Sequence, residues 1–270
     1  LTATEPPEKL SAAIRVVTFN VRYDDAGGTA ARRREHADEV AAALQRLDGD
    51  ILCLQEVISL YRRRVEKDNY LRRVLKEMLS EWEFFTPGSE SGLAEGSPIL
   101  YRRGRLRLLD QGVFWLSETP EVPDSRSWGN GLPRYCVWAL LQERSGEGAL
   151  LTANVHLDHR SARSRRKGVQ LLRQRLPRIA PELPRIVAGD FNAGRRSAVQ
   201  RVLLREYRRA AGRKSGATIR FPLPRQIDQI FLSPELRVLS SFVLDLHGGQ
   251  QRPRRSDHRP LAADIVLPRR

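Results

Sequence analysis

Four apolar runs in this sequence stop on residues able to hold a cation or move a proton. Val16-Val17-Thr18-Phe19 stops at Asn20, Ile51-Leu52-Cys53-Leu54-Gln55 at Glu56, and Thr152-Ala153-Asn154-Val155 at His156. Ile186-Val187-Ala188-Gly189 stops at Asp190, with Asn192 two residues on. A polar group at the end of a buried strand lies outside the core, and neighbouring strand ends converge on one rim of a sheet. Carboxylate, amide and imidazole groups gathered on a rim make a site for a hard cation with acid–base groups beside it. Taken singly, each has a plainer role. A strand-end Asn or Asp is commonly a turn residue or a cap, Glu56 a helix-start carboxylate, and His156 a half-buried imidazole. The joint pattern, rather than any one member, points to chemistry.

The elements that would position these groups follow from apolar spacing. Short apolar runs at 14–20, 51–55, 97–101, 136–142, 149–156, 185–188, 229–232 and 261–266 read as buried strands. Between them, helical spacing puts Val40, Ala43, Leu44 and Leu47 on one face of 36–47, and Leu71, Val74, Leu75 and Met78 on one face of 71–79. The stretches 163–179 and 198–207 have the same character, through Val169, Leu172 and Leu176 and through Val202 and Leu203. Strands and helices in rough alternation, with no long Pro/Gly/Ser linker, argue for one α/β domain over 14–267 behind an N-terminal extension, 1–13. The stretches 129–133, 220–225 and 248–255 read as loops.

Composition narrows the partners. Lys and Arg number 47 against 32 Asp and Glu, a formal charge of +15 with a pI near 10.8, which makes the surface attractive to polyanions such as nucleic acid. Arginine predominates, and its planar fork suits phosphate oxygens, although an arginine-rich genome would leave the same mark. The arginine runs at 32–34 and 62–64 read as solvated surface. Cys53 and Cys136 both lie in apolar runs, where a thiol behaves as a small hydrophobe, so neither a zinc site nor a disulfide framework is indicated. No apolar run is long enough to cross a bilayer, which argues against stable membrane insertion. The chain opens on a polar stretch without an initiator Met, as a processed or trimmed end does, and its compartment is left open.

Six short motifs, in order, resemble the endonuclease/exonuclease/phosphatase superfamily. They are Thr18-Phe19-Asn20-Val21-Arg22, Leu54-Gln55-Glu56-Val57, Asn154-Val155-His156-Leu157-Asp158-His159, Gly189-Asp190-Phe191-Asn192-Ala193, Ile227-Asp228-Gln229-Ile230 and Ser256-Asp257-His258. The resemblance runs from about residue 15 to 266. It implies a four-layer α/β sandwich, two packed mixed β-sheets flanked by helices, with the site at the top of the sheets. It also implies a divalent metal, Mg²⁺ or Mn²⁺, bound by Asn20 and Glu56 with Asp257 as a further acidic residue. Asp190 and Asn192 would orient the attacking water and contact the phosphate or a second metal. His258, oriented by Asp228, would stand beside the scissile phosphate, with His156 as the other histidine. In deoxyribonuclease-like members a glutamate pairs with that other histidine a few residues before an aromatic-arginine step. Tyr101-Arg102 supplies the step, which makes Glu95 the partner, and Arg134 falls where the family places a phosphate-contacting arginine. A narrower likeness, in Gly112 to Pro120, Trp128 and His156 to Arg160, is to a bacterial branch of mostly predicted metal-dependent hydrolases. There Trp115 and Trp128 would stack on a base, cap the groove or simply pack.

The expected activity is therefore hydrolysis of phosphate esters by a monomeric enzyme, foremost as a nuclease on DNA or RNA. A phosphatase or phosphodiesterase of small molecules or lipid headgroups, of the inositol phosphate type, is the alternative. A non-catalytic binding module would be a different class, and the presence of every motif residue argues against it.

Overall fold

Strands that are apolar on both faces must be covered on both sides, and this requirement organises the whole chain. A computed structural model of the protein describes residues 2–22, 30–57, 80–85, 96–146, 148–212, 215–219, 223–246 and 256–268. In chain order the elements are β1 (Thr2–Ala3), β2 (Ile14–Asn20), α1 (Ala30–Leu47), β3 (Ile51–Gln55), β4 (Trp82–Phe85), β5 (Ile99–Arg102), β6 (Leu106–Trp115) and β7 (Tyr135–Glu143). They continue as β8 (Ala149–His156), α2 (Ala162–Ile179), β9 (Arg185–Asp190), α3 (Ala198–Leu203), β10 (Arg208–Arg209), β11 (Asp228–Leu232), β12 (Arg237–Leu244) and β13 (Leu261–Val266). One sheet has seven strands in the order β1-β12-β13-β2-β3-β5-β4, and the other six in the order β10-β11-β9-β8-β7-β6.

Three apolar layers separate four layers of structure. Alternate residues of the central strands, among them Ile14, Val16, Ile51, Leu150, Ile186 and Ala263, meet between the sheets. The opposite faces, Val17, Phe19, Leu52 and Leu54, pack under the buried stripe of α1, which is Ala37, Val40, Ala41, Leu44 and Leu47. Leu151, Ala153, Val155 and Val187 do the same under Val169, Leu172 and Leu176 of α2 and Val199 and Leu203 of α3. The fold is the four-layer α/β sandwich of two packed mixed sheets, as the motifs imply. Ser161 and Ser197 cap α2 and α3 by accepting from the N–H three residues on, at 3.1 and 3.3 Å.

Each sheet has a parallel pair at its centre, β2 with β3 and β8 with β9, flanked by antiparallel strands, and β1 adds a second parallel pairing, with β12, at the edge of the seven-stranded sheet. The eight expected strands are all present, with ends shifted by a residue or two. Two long strands escape a search for buried apolar runs. β6, at the edge of its sheet, is exposed at Arg107 and from Leu109 to Gln111 and is bulged between Leu108 and Asp110. β12 carries serines in mid-strand and a shift between Val238 and Ser240. The helix expected at 198–207 ends at Leu203, after which the chain turns. The helix expected at 71–79, the whole loop 248–255 and part of 220–225 lie outside the described residues. Thr2–Ala3 pairs with β12 as an edge strand, and Lys9 reaches Asp50 at 3.1 Å.

Candidate active site

The register brings the strand-end residues to one rim. Asn20 pairs with Gln55, so Glu56 follows directly beside it, and His156 pairs with Asp190. Asp228, the first residue of antiparallel β11, is opposite Asp190 as well. β13 enters opposite Thr18, which leaves Asp257 and His258 on the same rim just before it. Ser256 fixes that approach: its hydroxyl donates to the Asn20 carbonyl at 2.7 Å and accepts from the His258 N–H at 3.1 Å. The parallel strands thus contribute their C-terminal ends and the antiparallel ones their N-terminal ends.

Three residues just past the strand ends have left-handed backbones, Arg22 (φ 47°), Glu56 (φ 56°) and Asn192 (φ 46°). Side chains other than glycine seldom adopt this region, and such outliers persist where surrounding contacts impose them. The contacts are present. The Arg22 N–H donates to Asn20 Oδ1 at 3.0 Å, and the Asn192 N–H to Asp190 Oδ1 at 2.8 Å. Asn20 Nδ2 donates to Glu56 Oε1 at 2.8 Å and across the sheets to Asp190 Oδ2 at 3.1 Å. One amide therefore ties together a residue from each sheet.

Asp190 lies at the centre. Its Oδ2 is 3.7 Å from His156 Nε2 and 3.7 Å from His258 Nε2, so two imidazoles flank a single buried carboxylate. The far nitrogen of His258, Nδ1, is 2.9 Å from Asp228 Oδ2. Asp228 is in turn placed by Thr218, whose Oγ1 accepts its N–H at 3.1 Å. Arg134 is buried and stands with Nη1 3.0 Å from His156 Nδ1, behind the ring rather than out in the mouth. Asn192 points its amide nitrogen at the Leu157 carbonyl, 2.9 Å away. Glu95 lies outside the described residues. Trp115 is buried against Tyr135 with ring centroids 5.1 Å apart, which makes it a packing residue, while Trp128 is half-buried on a loop.

Burial and charge set the protonation of this cluster. Burial by itself would raise Asp190, but the imidazoles of His258 and His156, the Asn192 N–H and the Asn20 amide outweigh it and hold the carboxyl below its ordinary value. Burial works against charging His258, yet Asp228, Asp190 and Asp257 overcome it and push the ring up to about 10. Complete burial and the nearby Asp190 charge push Asp228 upward against the pull of His258, so one proton is held between the two.

Two sets of groups can take a metal. Atoms of Asp190, Asp228 and His258 lie within 4.8 Å of one another, but all three are buried and already engaged with one another. Glu56 and Asp257 have side chains 29% and 35% exposed, which lets a hydrated hard cation approach them. Asn20 orients Glu56 through Nδ2, while its Oδ1 accepts from the Arg22 N–H. The residues present therefore fit a divalent cation at the Glu56 side of the rim.

The class of molecule that this fold and rim define is confirmed by comparison with known families. A model of the endonuclease/exonuclease/phosphatase family matches residues 17–258, and the chain belongs to that family of phosphoric ester hydrolases, which generally depend on a divalent metal. Among individual relatives, it is 27% identical over 271 residues to the uncharacterized protein YbhP of Escherichia coli (strain K12), covering 97% of this chain and 100% of that one. The endonuclease/exonuclease/phosphatase of Bacteroides vulgatus superposes with a TM-score of 0.81 at 25% identity, over 94% of this chain and 99% of that one. A mannosyl-6-phosphatase from Bacteroides thetaiotaomicron VPI-5482 superposes with a TM-score of 0.76 at 25% identity, over 94% and 100%.

Sequence reasoning missed the residues that hold the rim in register. Thr218 lies in no motif, yet it places Asp228. Gln55 and Asn154 sit inside motifs in which the apolar pattern gives them only a strand position, and Gln55 Nε2 donates to Asn154 Oδ1 at 2.7 Å between the sheets. The signal was parity. Both face the same way along their strands as the site residue two positions from one of them, His156, and as the apolar residues of the inner layer.

Proposed function

We propose that the protein is a Mg²⁺- or Mn²⁺-dependent phosphodiesterase that cleaves DNA or RNA. The reading rests on one observation: two histidines converge on a buried carboxylate on the same rim as two partly exposed carboxylates, the parts that in-line attack on a phosphate requires. Glu56 and Asp257, with Asn20, would hold the metal, which supplies Lewis-acid charge to a phosphate oxygen when bound. Asp190, kept ionised, accepts the proton of the attacking water. His258, kept charged by Asp228, donates to a phosphate oxygen on one side and His156 on the other, and these bonds strengthen as charge builds. Asn192 adds an amide donor at the mouth. Arg134, behind His156, acts on the phosphate through that ring and its own charge. The formal charge of +15 favours a polyanionic substrate and a nucleic acid partner over a neutral one. We take the enzyme to act as a monomer.

The likeness to a mannosyl-6-phosphatase supports a second reading, a phosphomonoesterase of small molecules. One experiment separates the two. Purified protein is incubated with plasmid, single-stranded DNA, RNA, bis(p-nitrophenyl) phosphate and a hexose 6-phosphate, each with Mg²⁺, Mn²⁺ or EDTA. Metal-dependent nicking or shortening of the nucleic acids is the expected result. Release of inorganic phosphate from the sugar ester alone would replace the nuclease reading with the phosphatase one.

A further inference from the structure

The helix that follows His156 has a composition the catalytic rim does not explain. α2 contains no acidic residue, and its first two turns carry Arg163, Arg166 and Lys167 at spacings that put them on the face opposite the buried stripe. All three are exposed, as is Arg160 just before the helix. Among the described residues none of these four is ion-paired with a carboxylate, whereas further along the same helix Arg173 and Arg175 are paired with Glu206 and Glu121. Unpaired like charges three and four apart on a helix repel one another, so their grouping lowers the stability of the free helix. An anionic ligand that neutralises them removes that cost.

The start of this stripe is fixed to the catalytic rim. Asp158, two residues after His156, is buried and accepts from the N–H groups of Arg160 at 2.9 Å, Ser161 at 2.6 Å and Gly131 at 3.0 Å. Ser161 caps the helix and donates to the Trp128 carbonyl at 2.8 Å, which helps hold that residue at φ 60° with its ring half-exposed. A cationic ladder and an aromatic ring at its head are the two devices by which proteins bind a nucleic acid strand without reading its sequence.

We infer that Arg160, Arg163, Arg166 and Lys167 form a phosphate track along α2, leading a nucleic acid strand away from the His156 side of the rim, with Trp128 stacking on a base at its start. This rests on the nuclease reading and adds to it the surface that engages the uncleaved part of the strand. A membrane of anionic lipid is the competing partner for such a stripe, but the stripe begins at the loop that Asp158 and Ser161 fix to the end of β8, which favours a ligand that also occupies the rim.

The test is a triple variant, Arg163→Glu, Arg166→Glu and Lys167→Glu, none of which touches the rim. Binding of a fluorescent single-stranded oligonucleotide is followed by anisotropy in EDTA over a range of NaCl concentrations. Hydrolysis of the oligonucleotide and of bis(p-nitrophenyl) phosphate is followed with Mn²⁺. Each lost phosphate contact lowers the log–log salt slope by about 0.7, so the track predicts a slope shallower by about 2 and binding weaker by roughly tenfold or more at low salt. The rate on the small diester should stay within about twofold. An unchanged slope, or an equal fall on both substrates, overturns the track. So does loss of sedimentation with phosphatidylglycerol vesicles at an unchanged oligonucleotide slope. If the wild-type protein cleaves no nucleic acid, the nuclease reading fails, but the anisotropy still decides whether the stripe binds the strand.

Discussion

A carboxylate placed between two imidazoles and an asparagine amide is held ionised by its neighbours even though water is excluded, and that is the state a base needs. Asp190 owes this to His258, His156, Asn192 and Asn20, and His258 owes its proton in part to Asp190, so the two are parts of one arrangement. Asp190→Asn keeps the shape and removes the basic oxygen, and His258→Ala removes the donor that Asp228 supports. Each is expected to lower kcat on the small diester by about 10²–10⁴-fold, with the circular dichroism spectrum and cooperative melting retained. Near-normal turnover in either folded variant would sink the assigned roles. Glu56→Gln and Asp257→Asn act elsewhere. They should raise the metal concentration giving half-maximal rate, with little change in melting temperature in EDTA. At this scale Asn20, Glu56, His156 and Asp190 were readable because each stops an apolar run, whereas Asp228, Asp257 and His258 were readable only through the resemblance of their motifs. Thr218 was not readable, since a threonine in a loop carries no pattern until the fold sets it under Asp228.

Gly189 shows how closely the elements must approach for this rim to exist. In β9 its φ is 146°, and a Cβ there would come within 1.9 Å of the Val155 carbonyl oxygen, on the residue it faces in β8. Gly189→Ala must therefore push the parallel pair apart between His156 and Asp190. Expression as an insoluble or molten protein, or a melting temperature lower by about 10 °C or more, is the expected outcome. A variant that melts like the wild type would show that the close approach is not required. The connection from β8 to α2 depends on Asp158 in a different way. Burial would raise its carboxyl, but three backbone N–H groups and the Arg134 charge outweigh that and hold it below the usual value. A depressed carboxylate adds stability that is present above its unfolded value, about 3.9, and is lost as pH falls through the lower folded value. Asp158→Asn should therefore melt below the wild type at neutral pH, and the gap should close in acid. A gap independent of pH would assign the effect to packing instead. The central strands were legible from sequence because both of their faces are buried. β6 and β12 were not, because each is at or near a sheet edge, exposes several residues in its first half and shifts register at a bulge, which breaks the period.

Across the whole molecule, the layer between the sheets changes character from one end to the other. Along β2 the inward residues run Ile14, Val16, Thr18, Asn20; along β3 Ile51, Cys53, Gln55; along β8 Leu150, Thr152, Asn154, His156; along β9 Ile186, Ala188, Asp190. The gradient from dry to polar is what lets two sheets share one core and one catalytic rim. At its midpoint Asn154 crosses the gap: the two hydrogens of its Nδ2 are shared among the carbonyls of Leu54 at 2.8 Å, Ser97 at 3.1 Å and Pro98 at 2.9 Å, and its Oδ1 accepts from Gln55. Glu56 and His156 lie one and two residues beyond these partners, 3.9 Å apart across the sheets. Asn154→Leu, of similar size, removes that donor from three carbonyls, of which Pro98 keeps the Leu54 N–H, and takes from the Gln55 amide one of three acceptors, the Thr18 hydroxyl and the Cys53 carbonyl remaining. Buried groups left unpaired cost about 1–3 kcal/mol each. The melting temperature should fall by several degrees. If the amide only supported the core, activity per folded molecule at low temperature would survive. If it sets the spacing of the two sheets, kcat falls at least about tenfold with KM nearly constant, because misplacement of reacting groups by an ångström or less is enough for such a loss. Substituting both partners, Gln55→Leu with Asn154→Leu, should restore part of the stability, since fewer polar groups are then stranded, but none of the kcat. Recovery of both together would show that the bridge holds the core and not the site.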